Sequence, residues 1–167
     1  NDGYGPNLKI MNKLNDEKID LLFTLDCGTS SFNILDNNKY KNIDTIIIDH
    51  HLSDELLPNV FSIINPNRRD ESNAYNDLAA VGVTFLFILA LRKYLREKKY
   101  FLLNNIPEPN TLNMLDLVAL CTICDYVNLK NYNRSLVKNG LKIIQKRFNK
   151  GISKIIDNAN IQHPPTV

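Results

Sequence analysis

The sequence predicts an α/β fold: a parallel sheet flanked by helices and followed by a helical segment. Two short aliphatic runs, Leu21 to Leu25 and Thr45 to Ile48, each stop at an aspartate, and a helix-forming stretch separates them. Strands that read as continuous apolar runs, without alternation, belong to parallel sheets covered on both faces. Both strands are therefore expected to be dry on either side.

Taken in chain order, Asn7 to Leu14 places Leu8, Met11 and Leu14 on one helical face ahead of the first strand. Cys27-Gly28-Thr29-Ser30-Ser31 then supplies a turn and an N-cap for a short helix, before the second strand at Thr45 to Ile48. Phe61-Ser62-Ile63-Ile64 reads as a third strand closed by Asn65-Pro66-Asn67, and Arg68 to Asn76 is polar enough for a surface loop. Leu78 to Tyr100 is an apolar-rich helix in which Ala79, Ala80 and Gly82 are small enough to allow close approach to the sheet. Pro107 and Pro109 break the helical pattern. It resumes at Leu112 to Leu120, ends near Asp125, and a last helix is expected from Tyr132 to Phe148. The expected division is a sheet part over residues 1–76 and a helical part over 77–160.

Composition bounds the class without naming a partner. The 167 residues are 44% hydrophobic and 23% charged, which suits an ordinary globular core, and the net charge of +2 tolerates a polyanion without arguing for one. No apolar run approaches the roughly 20 residues of a membrane span, and the start lacks the basic-then-apolar order of a secretory signal. A cytoplasmic protein with no membrane association is the expectation. Cys121-x-x-Cys124 has no second cysteine or histidine pair to complete four zinc ligands, so both are expected as small buried residues of a helix. The polar opening Asn1 to Pro6 reads as a loop partway through a larger protein, and His163 in its Pro-rich tail as solvated.

The chemistry concentrates at strand ends. In open parallel sheets ligands bind beyond the carboxyl ends of the strands, where loops and helix N-termini converge. Asp26 follows the first strand and Asp49-His50-His51 the second. A lone Asp there is often only a helix cap, and adjacent His residues are often surface polar groups. Together they put several coordinating or proton-transferring groups where two neighbouring strands would turn, an arrangement that suits a metal site. Asp125 stands at a helix C-terminus, where the helix dipole disfavours an anion and a cation would compensate. Arg68, Arg69 and Arg134 are candidates for nucleic-acid phosphate contacts, with ordinary surface charge the alternative. Lys138, Lys142, Lys146, Lys150 and Lys154 recur every four residues, a drifting basic stripe that could track a DNA backbone, with solvated lysines on an outer face the commoner alternative, and that Gly151 is expected to interrupt before Lys154.

Leu25-Asp26-Cys27-Gly28 resembles the second motif of the DHH phosphoesterase superfamily, and Asp49-His50-His51 is similar to the motif for which the superfamily is named. Asn65-Pro66-Asn67, Leu78 to Phe85, Asp116 to Asp125, Asn133-Arg134-Ser135-Leu136-Val137 and Gly140-Leu141 resemble later stretches of its single-strand exonuclease branch, and Asp2 to Pro6 resembles the loop after its first motif. The likeness runs over nearly the whole chain. An earlier Asp-x-Asp-x-Asp-Gly motif and a second domain of that branch have no counterpart in these residues. Cys121, Cys124 and Ala80 stand where other small residues are usual.

The resemblance implies a metal-dependent 5′→3′ exonuclease on single-stranded DNA, working in recombination and repair with Mn²⁺ or Mg²⁺, and other repair or single-strand-binding proteins as further partners. It implies that Asp26 binds or bridges metals, that His50 and Asp125 are ligands, and that His51 sits at the scissile phosphate as ligand, phosphate contact or proton donor. Asp49 is expected to orient a histidine ring N–H, or to contact metal itself. Other readings within the superfamily are an oligonucleotide phosphodiesterase or a manganese pyrophosphatase. A reading from another class is an inactive nucleic-acid-binding relative. Without the first motif, these residues alone are expected to bind Mn²⁺ weakly and cleave poorly.

Overall fold

The computed structural model describes residues 3–72 and 74–161, so His163 lies outside the described residues. They divide into two compact units, Asn1–Val83 and Thr84–Val167, with the division falling inside a helix.

The first unit opens with α1 (Leu8–Asp16), whose N-cap Asn7 accepts a hydrogen bond from the Ile10 backbone N–H at 3.0 Å. Strand β1 (Leu21–Leu25), the short helix α2 (Phe32–Leu35), a 3-10 turn at Asn38–Tyr40, and strands β2 (Asp44–Ile48) and β3 (Ser62–Ile64) follow. The three strands are parallel in the order β1-β2-β3, with Leu25 opposite Ile48 and Ile48 opposite Ile64. One face of the sheet is packed: Met11, Leu35, Tyr40, Ile43 and Ile47 form a buried cluster with Leu22 and Ile63 against it. Each such side chain taken fully out of water contributes about 1.5–3 kcal/mol.

The expectation that both faces of β1 are dry is corrected. Leu21, Phe23 and Leu25 are 49%, 40% and 51% exposed, while Thr24 between them is buried. Strand side chains alternate between faces, and among the described residues β1 pairs only with β2. Its apolar run therefore shows two different environments that composition alone does not separate.

The second unit is helical. The long helix α3 (Ala80–Glu97), in which the division falls, is followed by α4 (Tyr100–Leu103), a 3-10 turn at Thr111–Met114, α5 (Leu115–Cys124), α6 (Asn131–Gln145) and α7 (Lys150–Asn158). Helices α5 and α6 pack closely around Ala119, Val137, Leu141, Ile144 and Ile152. A Cβ on Gly140 would lie 2.1 Å from the Leu115 carbonyl oxygen and 2.4 Å from the Ala119 Cβ, so only glycine permits this approach. Gly82, predicted to give α3 its closeness, would place a Cβ only against Leu78.

Three further expectations change. The last predicted helix is two helices: Arg147 turns left-handed (φ 59°) after α6, and Asn149 caps α7 by accepting from the Ile152 backbone N–H. Gly151 lies in the first turn of α7 and terminates nothing, so Lys150 and Lys154 leave the α6 stripe. Cys121 and Cys124 are exposed, not buried, because they project from α5 away from the face that packs on α6. No helix among the described residues is long and apolar enough to cross a membrane.

Candidate metal centre

The parallel register carries the site. Because Leu25 pairs with Ile48, the residues that follow them, Asp26 and Asp49, emerge at the same rim. The Asp26 backbone N–H donates to Ile48 O at 3.0 Å, and that of Asp49 to Ile64 O at 3.1 Å. Asp26 adopts a left-handed backbone (φ 61°), costly for most side chains but tolerated by Asp and Asn. Its carbonyl accepts from the Tyr4 hydroxyl, which ties the turn from outside. Gly28 (φ 115°) completes the turn at a point where a Cβ would meet the buried Thr24 Oγ1 at 2.7 Å.

Asp26, His50 and His51 come together, with one ligand atom from each within 4.8 Å of the others. Ligands at about 2.0–2.2 Å from one ion lie at most roughly 4.4 Å apart, so the trio needs to draw in by only a few tenths of an ångström. The Asp26 side chain is half exposed, yet its Oδ1 is turned inward, 3.3 Å from His50 Nε2, and makes no hydrogen bond among the described residues. A buried carboxylate oxygen without a donor is costly. A cation between it and the histidines removes that cost, so these residues fit a divalent metal.

Asp49 does different work. It is 1% exposed and accepts from the His50 and His51 backbone N–H groups, from His51 Nδ1 at 2.7 Å, and through Oδ2 from the Thr29 backbone N–H at 3.1 Å. Burial alone would raise its pKa, but the hydrogen bonds from His51, Thr29 and His50 outweigh it and hold the carboxyl below its ordinary value. An ionised carboxylate only accepts, so His51 Nδ1 carries the proton; Nε2 then offers a lone pair to a metal in the neutral ring, or an N–H to a phosphate in the protonated one.

The residue reading misses the clamp around the histidines. Asn65, 3% exposed, donates through Nδ2 to the His51 carbonyl at 2.8 Å and to Thr29 Oγ1 at 3.0 Å, while its Oδ1 accepts from the Asn67 backbone N–H. Asn67 Nδ2 donates to the His50 carbonyl. The Asn-Pro-Asn turn therefore holds both carbonyls of the histidine pair. The available signal is two asparagines placed directly at a strand's carboxyl end, a pattern that by itself reads only as a turn.

The other predicted residues divide. Asp125 caps the C-terminus of α5 and belongs to the second unit. The Arg68 guanidinium is gripped by both carboxylate oxygens of Asp70 and donates to the Ile63 carbonyl at 2.9 Å, so a phosphate would have to displace Asp70. Arg69 pairs with Glu55 at 2.8 Å on an exposed surface, a contact worth little in itself. Arg134 is exposed and forms no ion pair among the described residues. Burial, then the negative charges of Asp49 and Asp26, raise the Cys27 thiol pKa, which keeps it protonated and a poor ligand.

Residues 4–122 match the model of the DHH family, N-terminal domain. The chain belongs to the DHH family. It is 39% identical over 160 residues to the single-stranded-DNA-specific exonuclease RecJ of Salmonella typhimurium, and 30% identical over 155 residues to RecJ of Bacillus subtilis. These alignments cover 95% and 93% of the chain but 28% and 18% of those relatives, so the chain spans a minor part of their length. Among solved structures, exonuclease RecJ bound to manganese superposes with a TM-score of 0.77 at 27% identity, over 96% of this chain and 38% of that one. RecJ from Thermus thermophilus in complex with Mn²⁺ gives 0.70 at 27% identity, over 91% and 21%. Both neighbours have the fold that the apolar runs predicted.

Proposed function

We propose that this DHH-family chain carries part of the metal centre of a 5′→3′ exonuclease that hydrolyses phosphodiester bonds of single-stranded DNA. The observation that carries the reading is the buried, donor-less Oδ1 of Asp26 facing His50 beside His51. The relatives' exonuclease activity and the manganese in the neighbouring structures support it. Asp oxygen mixed with His nitrogen suits Mn²⁺ better than Mg²⁺, which prefers oxygen throughout.

Asp26 and His50 hold the metal in this proposal, and Asp125 is a further candidate ligand. His51, its Nδ1–H fixed on Asp49, directs Nε2 at the metal or the scissile phosphate. Bound Mn²⁺ would supply charge neutralisation for the pentacovalent phosphate and a water acidic enough to attack near neutral pH. The protein's own part is to keep His51 in one tautomer and Asp26 in a strained turn that aims its carboxylate inward.

The test is Mn²⁺ titration followed by electron paramagnetic resonance, on the wild-type chain and Asp26→Asn, paired with hydrolysis of 5′-phosphorylated single strands, short oligonucleotides and pyrophosphate. Asp26→Asn keeps the left-handed turn but loses the charge, so Mn²⁺ affinity is expected to fall at least tenfold with the melting temperature unchanged. Equal affinity in both proteins, or a clear preference for pyrophosphate, sinks the reading.

A further inference from the structure

The small net charge hides a strong segregation. Between Asp125 and Asp157 the chain carries eight Lys and Arg and no acid, whereas the remainder carries twelve Lys and Arg against eighteen acids. Five of those eight, Lys130, Arg134, Lys138, Lys142 and Lys146, are spaced every four residues along α6 and its two caps, and all are exposed. None of the five forms an ion pair among the described residues, whereas the neighbouring Arg147 is paired with Asp157. Four helical residues rise about 6 Å and turn about 40° beyond a full turn, so the cations form a continuous, slowly drifting row. Asn131, Ser135 and Asn139 lie exposed alongside, able to hydrogen-bond without repelling an anion.

We infer that this row is a binding track for the phosphodiester backbone of single-stranded nucleic acid, with Tyr126 as a stacking platform at its start. A basic amphipathic helix can also lie on a membrane, but that requires a free apolar face. Here Val137, Leu141 and Ile144 are buried in the second unit's core, and the fit of Gly140 against Leu115 locks that face in place. What remains outward is cationic and polar apart from Tyr132. Tyr126 is 97% exposed in a left-handed turn (φ 58°) four residues before Lys130, which leaves its ring open to a base. Alternating cations and open aromatics is how proteins hold single strands without reading sequence. The choice of DNA among single strands rests on the exonuclease reading; the track itself does not.

The experiment is fluorescence anisotropy of the whole chain with a labelled oligo-dT strand in EDTA, across a salt series, so that metal binding and hydrolysis play no part. Arg134→Ala/Lys138→Ala/Lys142→Ala is expected to bind at least tenfold more weakly, with the log–log salt slope shallower by about 2, near 0.7 per lost phosphate contact. Arg134→Lys/Lys138→Arg/Lys142→Arg should bind like wild type, and so should the charge-matched control Lys9→Ala/Lys13→Ala/Lys18→Ala. Tyr126→Ala should weaken single-strand binding severalfold while sparing duplex. The inference is overturned if the α6 triple variant keeps wild-type affinity and slope, if the control loses as much, or if anionic phosphatidylserine vesicles bind the chain in preference to the strand. Mn²⁺ titration of the α6 triple variant, run separately from the strand titration, separates failure of the track from failure of the metal reading.

Discussion

The two units use charge in opposite ways. In the first, Asp49 is held by a full set of donors, and Asp26 Oδ1, left like Thr24 Oγ1 without a hydrogen-bond partner among the described residues, faces the position proposed for a metal. In the second, cations stand in water on a helix whose other side is packed to glycine tolerance. Charge buried among fixed donors gives geometric precision, because displacing it leaves costly unpaired groups. Charge repeated on a surface gives screened attraction that tolerates movement along a strand. On these two proposals, the unit with the candidate metal centre and the unit with the basic row should fail differently.

The largest separation should come from Asp49→Asn. The amide cannot accept from all four donors, so His51 loses its fixed tautomer; Mn²⁺ affinity should drop about 10–100-fold, measured by titration, while anisotropy with oligo-dT in EDTA stays at the wild-type value. Gly140→Ala should do the reverse. Its gain in helix propensity, about 1 kcal/mol, is outweighed by a clash with the Leu115 backbone that costs about 1–3 kcal/mol or more, so thermal denaturation should show net destabilisation with the Asp26, His50 and His51 cluster of the first unit unaltered. Asn65→Ala sharpens the contrast inside the first unit. It strips donors from the His51 carbonyl and Thr29 Oγ1, with an expected loss of about 1–3 kcal/mol and weaker Mn²⁺ binding, whereas Asn67→Ala, at a less buried position, should cost less in both readouts. Cys124→Ser should be nearly silent, within about 0.5 kcal/mol; a large loss, or zinc lost from wild type on treatment with a chelator, would revive a metal role for the exposed cysteine pair.

Much of the site was legible because its residues sit where a sequence signal changes. Asp26 and Asp49-His50-His51 follow apolar runs directly, and a parallel register brings the ends of such runs to one rim whatever the details of packing. The clamp was not legible, since Asn65 and Asn67 look like any turn until the carbonyls of residues fourteen and seventeen positions earlier arrive against them. Nor was the break between α6 and α7, where lysines at a four-residue spacing continue across a left-handed Arg147 and disguise two helices as one.

By itself the sequence determined the fold class, the order of the strands' ends along the chain and the identity of the groups placed there, because hydrophobic periodicity and chain direction are local properties. It also contained the charge segregation of residues 126–156 in full. Tertiary structure alone decided which face of β1 stays exposed, which oxygen of Asp26 is left without a donor, and that Asp49 spends its hydrogen-bonding capacity on the histidine pair. Those outcomes depend on which distant groups meet, and a side chain's partners are set by the folded path of the whole unit.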